Sequence, residues 1–285
     1  MRHRAFRKDN IDFENDKERE FKFSEDDLKE LSLLSSALIS TYLFTISDII
    51  FYNSTINAIE YIISKYEDKR IISEKEAIEA GYLEVVSKLM LVNVDIDRYN
   101  HLYKKSINGE IKYSLQPELD ITIGDGFQVL TYLFITIGFV GIYKVNSIKE
   151  LSIDATKELS FLNSQLDAIN IRFYADYLAY TSIIESIQLI YNKYQGNKKR
   201  EPNPDIPAIQ SIICYFLSRV ILANVAFNRY DELYKKYERT QYNSLLQPNI
   251  ALNVGNIFGV IGCVYLLLGF MERYERNISV PVFGI

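Results

Sequence analysis

The chain has 285 residues, of which 48% are hydrophobic and 24% are charged, and its formal net charge at pH 7 is −5. Such a composition is typical of a packed globular protein and excludes a chain that is disordered throughout. The negative net charge argues against a nucleic-acid partner, because phosphate binding requires a concentrated basic face.

Residues 1–24 are densely charged and carry spaced aromatic side chains, among them Phe6 and Phe13. No apolar stretch follows the first basic residues, so the sequence predicts no secretory signal peptide. We predict a flexible N-terminal arm and a cytoplasmic or membrane-associated protein. The aromatic side chains of the arm are candidates for contacts with a neighbouring copy of the chain.

The first half of the chain predicts three helices, because apolar residues recur at steps of three and four residues. Ser24 is a candidate N-cap, since acidic residues follow it in what would be the first helical turn. Pro117 suits the first turn of the third helix, where its missing N–H would have no intrahelical acceptor. The three predicted helices cover about 24–66, 73–105 and 117–143.

The second half of the chain repeats the first. "KELSLLSSAL" at 29–38 matches "KELSFLNSQL" at 157–166, and "RYNHLYKK" at 98–105 matches "RYDELYKK" at 229–236. These matches predict a tandem duplication of a three-helix unit. The predicted fold is therefore all-α, a six-helix bundle with repeat 1 over 25–146 and repeat 2 over 147–277.

The third helix of each repeat is the most apolar part of the chain, since residues 127–143 and 257–271 contain no charged residue. A transmembrane helix needs about 20 predominantly apolar residues, so both stretches are borderline. Two alternatives follow. The charged first and second helices favour a soluble bundle in which the two third helices are central. The other alternative is a membrane protein that inserts helices 119–143 and 250–271.

Residues 278–285 form an apolar tail with a proline that stops any helix. A free apolar tail in water is unfavourable, so we expect it to dock on its own body or on a neighbouring copy. The candidate assembly residues of the tail are Val280, Val282, Phe283, Gly284 and Ile285.

Few side chains are suited to catalysis or metal binding. The two histidines are His3, in the arm, and His101, whose place is taken by Glu232 in the second repeat. No His/Cys spacing suits zinc, and no acidic loop resembles a calcium site. Cys214 and Cys263 lie in apolar stretches and predict no disulfide framework. We therefore expect no catalytic site, no metal and no cofactor.

Two kinds of charged residue occur at corresponding positions of both repeats. Asp48 corresponds to Asp176, and Arg98 corresponds to Arg229. One interpretation is a structural salt bridge in each half, Asp48 with Arg98 and Asp176 with Arg229, because a buried charge is costly unless it is paired. The other is a carboxylate–guanidinium site in each half that binds a small anion or forms half of a catalytic pair.

The segments "LKELSLLSSALISTYLFTISDIIFY" and "PELDITIGDGFQVLTYLFITIGF" each lead from a polar start into a helix rich in leucine and isoleucine. In this the chain resembles the small uncharacterised helical proteins of low-GC Gram-positive spore-forming bacteria, whose helices carry a central "IGD"- or "GN"-like step. The first helix departs from the pattern, since "ISD" stands at 46–48. The resemblance implies no activity, only a sporulation or envelope context.

Together these features predict a non-enzymatic structural or interaction protein. Its 22 tyrosines, the arm and the tail favour self-assembly into a homo-oligomer, because tyrosine is enriched at contact surfaces. The first alternative is a membrane-associated helical protein. The second is a small-ligand-binding bundle or an enzyme that uses the Asp/Arg pairs.

Overall fold

The computed structural model describes residues 23–146, 153–195, 202–240 and 245–279. These residues form six α-helices and no strand, so the predicted all-α fold is confirmed. The helices are α1 (Glu25–Ser64), α2 (Glu67–Ile107), α3 (Gln116–Asn146), α4 (Ala155–Gln195), α5 (Asp205–Thr240) and α6 (Leu246–Ser279).

Helix α1 begins and ends at well-defined caps. The Ser24 hydroxyl accepts a hydrogen bond from the Asp27 backbone N–H at 3.1 Å, so the predicted N-cap is confirmed. Lys65 ends the helix in the left-handed conformation, with φ 62°. Only Lys65 and Tyr66 separate α1 from α2, so α2 begins six residues earlier than the predicted Ser73. So short a connection makes α1 and α2 antiparallel neighbours.

A row of serines fixes the register of α1 against α2. The hydroxyls of Ser40, Ser47 and Ser54 donate to the backbone carbonyls of Ser87, Ala80 and Ser73, respectively, at 2.7–2.8 Å. The donors are seven residues apart and the acceptors step back by seven, as an antiparallel pair requires. Small side chains at these contacts allow the two helices to lie close together.

The six helices form a closed ring. Each helix packs against two neighbours, in the order α1, α2, α3, α6, α5, α4 and back to α1. The apolar helices α3 and α6 pack against each other, but they lie in the wall of the ring and not at the centre of a bundle. Corresponding helices of the predicted repeats occupy corresponding places, with α1 beside α4 and α3 beside α6. The duplication itself stays a prediction.

Parts of the sequence prediction lie outside the described residues. These parts are most of the arm and the tail beyond Ser279, with the candidate assembly residues Phe6, Phe13, Val280, Val282, Phe283, Gly284 and Ile285. The predicted boundary of the tail is corrected by two residues, because α6 continues through Ile278 and Ser279.

Glycines bring the backbones of α3 and α6 into contact. A Cβ added to Gly124 would lie 2.9 Å from the carbonyl oxygen of Gly262, and one added to Gly262 would lie 2.8 Å from that of Gly124. A Cβ added to Gly255 or to Gly269 would likewise lie 2.8 or 2.7 Å, respectively, from a backbone oxygen of α3. These positions recur every seven residues, so the two backbones stay close along the seam, and side chains such as Leu266 and Ile135 pack directly against the glycines.

We predict that Gly124→Ala lowers the midpoint of thermal unfolding, measured by circular dichroism at 222 nm. The added methyl group meets backbone atoms that cannot move independently, which costs about 1–3 kcal/mol. Gly126→Ala is the matched control on the same helix, because no atom lies within 4 Å of its added Cβ. That control should keep or raise the midpoint, since alanine is the better helix former. Equal midpoints for the two variants would contradict the packing described.

Candidate functional site

A cluster of charged side chains lies buried inside the ring, mostly halfway along the helices. Each member is less than a tenth exposed, whereas charged residues are rarely buried in soluble proteins unless they are paired. Five of the six helices contribute. The inner charge cluster consists of Asp48, Glu84, Lys88, Asp95, Asp125, Arg172, Asp176 and Arg219.

Arg172 of α4 joins three helices within this cluster. Its side chain is 2% exposed, and its Nε donates to Asp48 of α1 at 3.0 Å. Its Nη2 donates to Glu84 of α2. The guanidinium also lies over the ring of Phe44, 4.8 Å from the ring centre. Two carboxylates and an aromatic face therefore surround one buried cation.

The predicted pair of Asp48 and Arg98 is wrong. Asp48 pairs with Arg172, and the Arg98 Nη2 donates instead to Glu30 at 2.7 Å. The register of the antiparallel pair explains the difference, because the serine contacts place Asp48 near Ala80, eighteen residues from Arg98 along α2.

The predicted pair of Asp176 and Arg229 is also wrong. Asp176 accepts a hydrogen bond from the hydroxyl of Tyr215, and the Arg229 Nη2 donates to Glu158 at 2.6 Å. Glu158 is the counterpart of Glu30 within the repeated "KELS" motif. The sequence did carry a signal for these partners, because "KELS" and "RY" are each repeated in the chain.

A cavity of about 430 Å³ occupies the inside of the ring and is lined by all six helices. It extends from the inner charge cluster to the end of the ring where α1, α3 and α5 begin, which we call the near end. Ion pairs tie neighbouring helices together around this mouth. They are Asp27–Lys193 at 2.9 Å, Glu30–Arg98 at 2.7 Å, Asp205–Arg273 at 2.6 Å and Glu118–Arg276 at 2.5 Å.

Tyr113, between α2 and α3, also lines the mouth of the cavity. The guanidinium of Arg276 lies 4.5 Å from the centre of its ring. Burial raises the pKa of the Tyr113 hydroxyl, while the nearby Arg276 cation partly opposes that shift. The phenol is therefore a neutral hydrogen-bonding group of the mouth at pH 7.

Arg219 and Lys88 bring positive charge to the inner end of the cavity. The Arg219 guanidinium is stacked on Tyr132, 4.4 Å from the ring centre. The Lys88 Nζ lies 3.7 Å from Asp125 and 4.8 Å from the ring centre of Phe44. Lys88 and Arg219 are 131 residues apart, the same spacing as Arg98 and Arg229. The predicted duplication would make them counterparts.

A second and much smaller cavity lies beyond the inner charge cluster, toward the opposite or far end. It measures about 50 Å³, and Arg172 and Arg219 line it together with Arg229. The two cavities on either side of the inner charge cluster are therefore unequal, with the larger one toward the near end.

Four helices of the described chain are long and apolar enough to cross a membrane, judged by length and composition. They are Glu25–Ser64, Gln116–Val145, Asp205–Glu238 and Leu246–Asn277. Membrane association is therefore compatible with the structure, and two helices besides the third helices that the sequence singled out are long and apolar enough for it.

Neither the described residues nor comparison with other proteins adds a known kind of site. No group of three or more His, Cys, Asp or Glu side chains in the described ranges is placed to hold a metal ion. His101 lies 2.9 Å from Asp26 near the surface, and both cysteines are free. No protein-family model, curated protein or solved structure matches the chain.

We predict that Arg172→Ala destabilises the fold strongly, by about 3–5 kcal/mol, because it leaves Asp48 and Glu84 buried without their cation. Arg70→Ala is the control. Arg70 pairs with Glu67 and Glu74 at the partly exposed far end, so its loss should cost no more than about 1 kcal/mol.

Adding Glu84→Gln and Asp48→Asn to Arg172→Ala should recover part of the lost stability, because it removes the unpaired charges. Chemical unfolding followed by circular dichroism would measure all of these variants. Similar losses for Arg172→Ala and Arg70→Ala would show that the buried ion pairs do not hold the ring together.

Proposed function

We propose that this chain is a membrane protein whose six helices all cross the bilayer, and that its central cavity carries a small polar solute. The observation that supports this proposal is the distribution of side chains in the ring. In the middle of the ring the charged side chains are buried inside and many large apolar side chains are exposed on the outer surface, while other apolar side chains pack between the helices. Charged side chains inside a membrane protein face its interior or a polar cavity and commonly mark the path of a solute.

The outer surface of every helix has a long stretch without an exposed charged residue. On α2, the most charged helix, this stretch runs from 80 to 96, because Glu84, Lys88 and Asp95 are all buried. Seventeen helical residues lie at the lower limit for a membrane span. The corresponding stretches of the other helices are longer and cover 30–59, 117–143, 168–192, 206–230 and 246–271.

Large apolar side chains fill these outer surfaces. Ile137 is 58% exposed, Leu217 50% and Leu268 48%. In water, such surfaces on all sides of a ring would form far larger apolar patches than soluble monomers carry. In a bilayer the same side chains contact lipid, and the backbone polar groups remain satisfied within the helices.

Transport also agrees with the arrangement of the two halves. Each predicted repeat has three helices, which is an odd number. If all of them cross the membrane, the second repeat begins on the opposite side of the bilayer, and its helices run in the opposite direction to their counterparts in the first repeat. The ion pair of Glu30 and Arg98 lies near one end of the ring, and its counterpart of Glu158 and Arg229 lies toward the other end. Inverted repeats of this kind occur in transporters that bind solute between the halves, near the middle of the bilayer.

The asymmetry of the interior then has a mechanistic meaning. The cavity is open toward the near end and closed by the inner charge cluster toward the far end. If the two halves exchange conformations, the cavity closes at the near end and opens at the far end. A bound solute would move across the membrane without a continuous pore.

We predict that the expressed protein sediments with membranes, resists a carbonate wash and is released by detergent. Cysteine labelling tests its orientation in a variant that lacks Cys214 and Cys263. Lys65→Cys, at the far end, and Gly109→Cys, at the near end, should react with a membrane-impermeant maleimide from opposite sides of the bilayer.

The second candidate function is the self-assembling protein that the sequence favoured. Its support is the apolar outer surface together with exposed tyrosine pairs, such as Tyr174 and Tyr177 with ring centres 6.5 Å apart. Copies packed side by side would cover that surface in water. Recovery of the protein as soluble particles without detergent would support assembly and contradict the membrane proposal.

A further inference from the structure

The central cavity contains one guanidinium without a counter-ion. Arg219 is 2% exposed, and neither its Nη1 nor its Nη2 has a hydrogen-bond partner. Among the described residues, no carboxylate lies close enough to form an ion pair with it. A buried guanidinium is costly unless its donors are satisfied, and its planar fork matches an oxyanion. An oxyanion bound in the cavity would supply the missing acceptors.

Two carboxyl groups of the same cavity lack hydrogen-bond donors, whereas Arg219 lacks acceptors. Asp95 and Asp125 interact with each other, and each has a buried oxygen without a hydrogen-bond donor. Their nearest cations are distant for a hydrogen bond, since Arg98 lies 3.6 Å from Asp95 and Lys88 lies 3.7 Å from Asp125. A ligand cation with several N–H donors, such as an ammonium group, would satisfy both oxygens.

The charged side chains of the cavity wall indicate that one ligand carries both an oxyanion and an ammonium group. Six acidic and six basic side chains line the cavity, so its wall offers partners to ligand groups of either charge. A lone anion would leave the buried oxygens of Asp95 and Asp125 without donors, and a lone cation would leave Arg219 without acceptors. A zwitterion satisfies Arg219 and the carboxyl pair together.

We propose that the cavity binds a small amino acid or a similar zwitterion, with its carboxylate on Arg219 and its ammonium group on Asp95 and Asp125. This inference rests on the proposed function, because it names the solute class that the ring would carry. Arg219 stacks on Tyr132, two helical turns from Asp125 along α3, and all three residues line the cavity.

The remaining walls suit a short apolar chain between the charged groups. Leu34, Ile183, Leu266 and Phe270 line the cavity from three different helices. The volume of about 430 Å³ lies within the range of small-molecule sites, so the cavity can hold an amino acid together with some water.

Four small molecules test the inference on the detergent-purified full chain by isothermal titration calorimetry. 2-Aminobutyrate and 4-aminobutyrate are the zwitterions, which place the amine at two distances from the carboxylate. Butyrate lacks the amine and propylamine lacks the carboxylate. We expect at least one amino acid to bind about tenfold or more tightly than both control molecules, since each charged contact contributes that much. Equal binding of butyrate, equal binding of propylamine, or no binding of either amino acid overturns the inference.

Variants of the cavity test which side chains bind the carboxylate of the ligand and which bind its ammonium group. Arg219→Gln should reduce amino acid affinity about tenfold or more and leave propylamine affinity unchanged, and Asp125→Asn should reduce amino acid affinity but not butyrate affinity. Arg70→Gln, at the far end, is the matched control and should bind like the wild type. Unchanged amino acid affinity in Arg219→Gln overturns the assignment.

The ligand panel on the wild-type chain tests the inference even where a variant fails to fold. A membrane-extracted protein that prefers no zwitterion refutes the ligand class alone. A protein that is water-soluble without detergent refutes the membrane proposal, whatever it binds.

Discussion

The structure depends on the burial of opposite charges at the centre of a ring of helices. Arg172 lies between Asp48 and Glu84, and these three residues come from three different helices. Their interaction offsets the cost of removing charges from water only if all three are present together. This requirement sets the relative positions of α1, α2 and α4.

Close helix contacts in the wall make such an interior possible. Serines let α1 approach α2, and glycines let α3 approach α6 backbone to backbone. Large side chains such as Leu266 pack beside these seams, while other large apolar side chains are exposed on the outer surface and the charged ones near the middle of the helices are buried inside. Packing of this kind does not require water to drive it, which is why it is common between helices in membranes. The close helix contacts and the inner charge cluster are therefore both in keeping with the proposed bilayer environment.

The sequence predicted the helices well, because their signals are local. The Ser24 cap is confirmed, and the start and end of α3 lie within three residues of the prediction. The start of α2 was missed because Lys65 makes a tight turn without glycine, for which its side chain gives no signal. The partners of Arg98 and Arg229 were missed because a pairing across helices depends on register, which caps and periodicity do not determine.

In the sequence, the most apolar segments indicated only the third helix of each repeat as a possible membrane span. The outer surfaces of the other helices are also free of exposed charge in the middle, which average hydropathy does not show. α2 and α4 contain many charged residues, but in the middle of each helix these face the ring interior. Only knowledge of which side faces outward shows that all six outer surfaces are free of exposed charge over at least seventeen residues. Which side faces outward depends on the tertiary structure, and so does the convergence of Arg219, Asp95 and Asp125 on one cavity.

The central claim is that lipid contacts the outer surface and polar groups fill the interior. The chain contains no tryptophan, so a single introduced tryptophan reports on its position without background. Leu133 is 40% exposed and Tyr132, next to it, is 1% exposed. In vesicles of lipids brominated at mid-chain, we predict strong fluorescence quenching for Leu133→Trp and weak quenching for Tyr132→Trp. Equal quenching of the two, or none for Leu133→Trp, would contradict the claim.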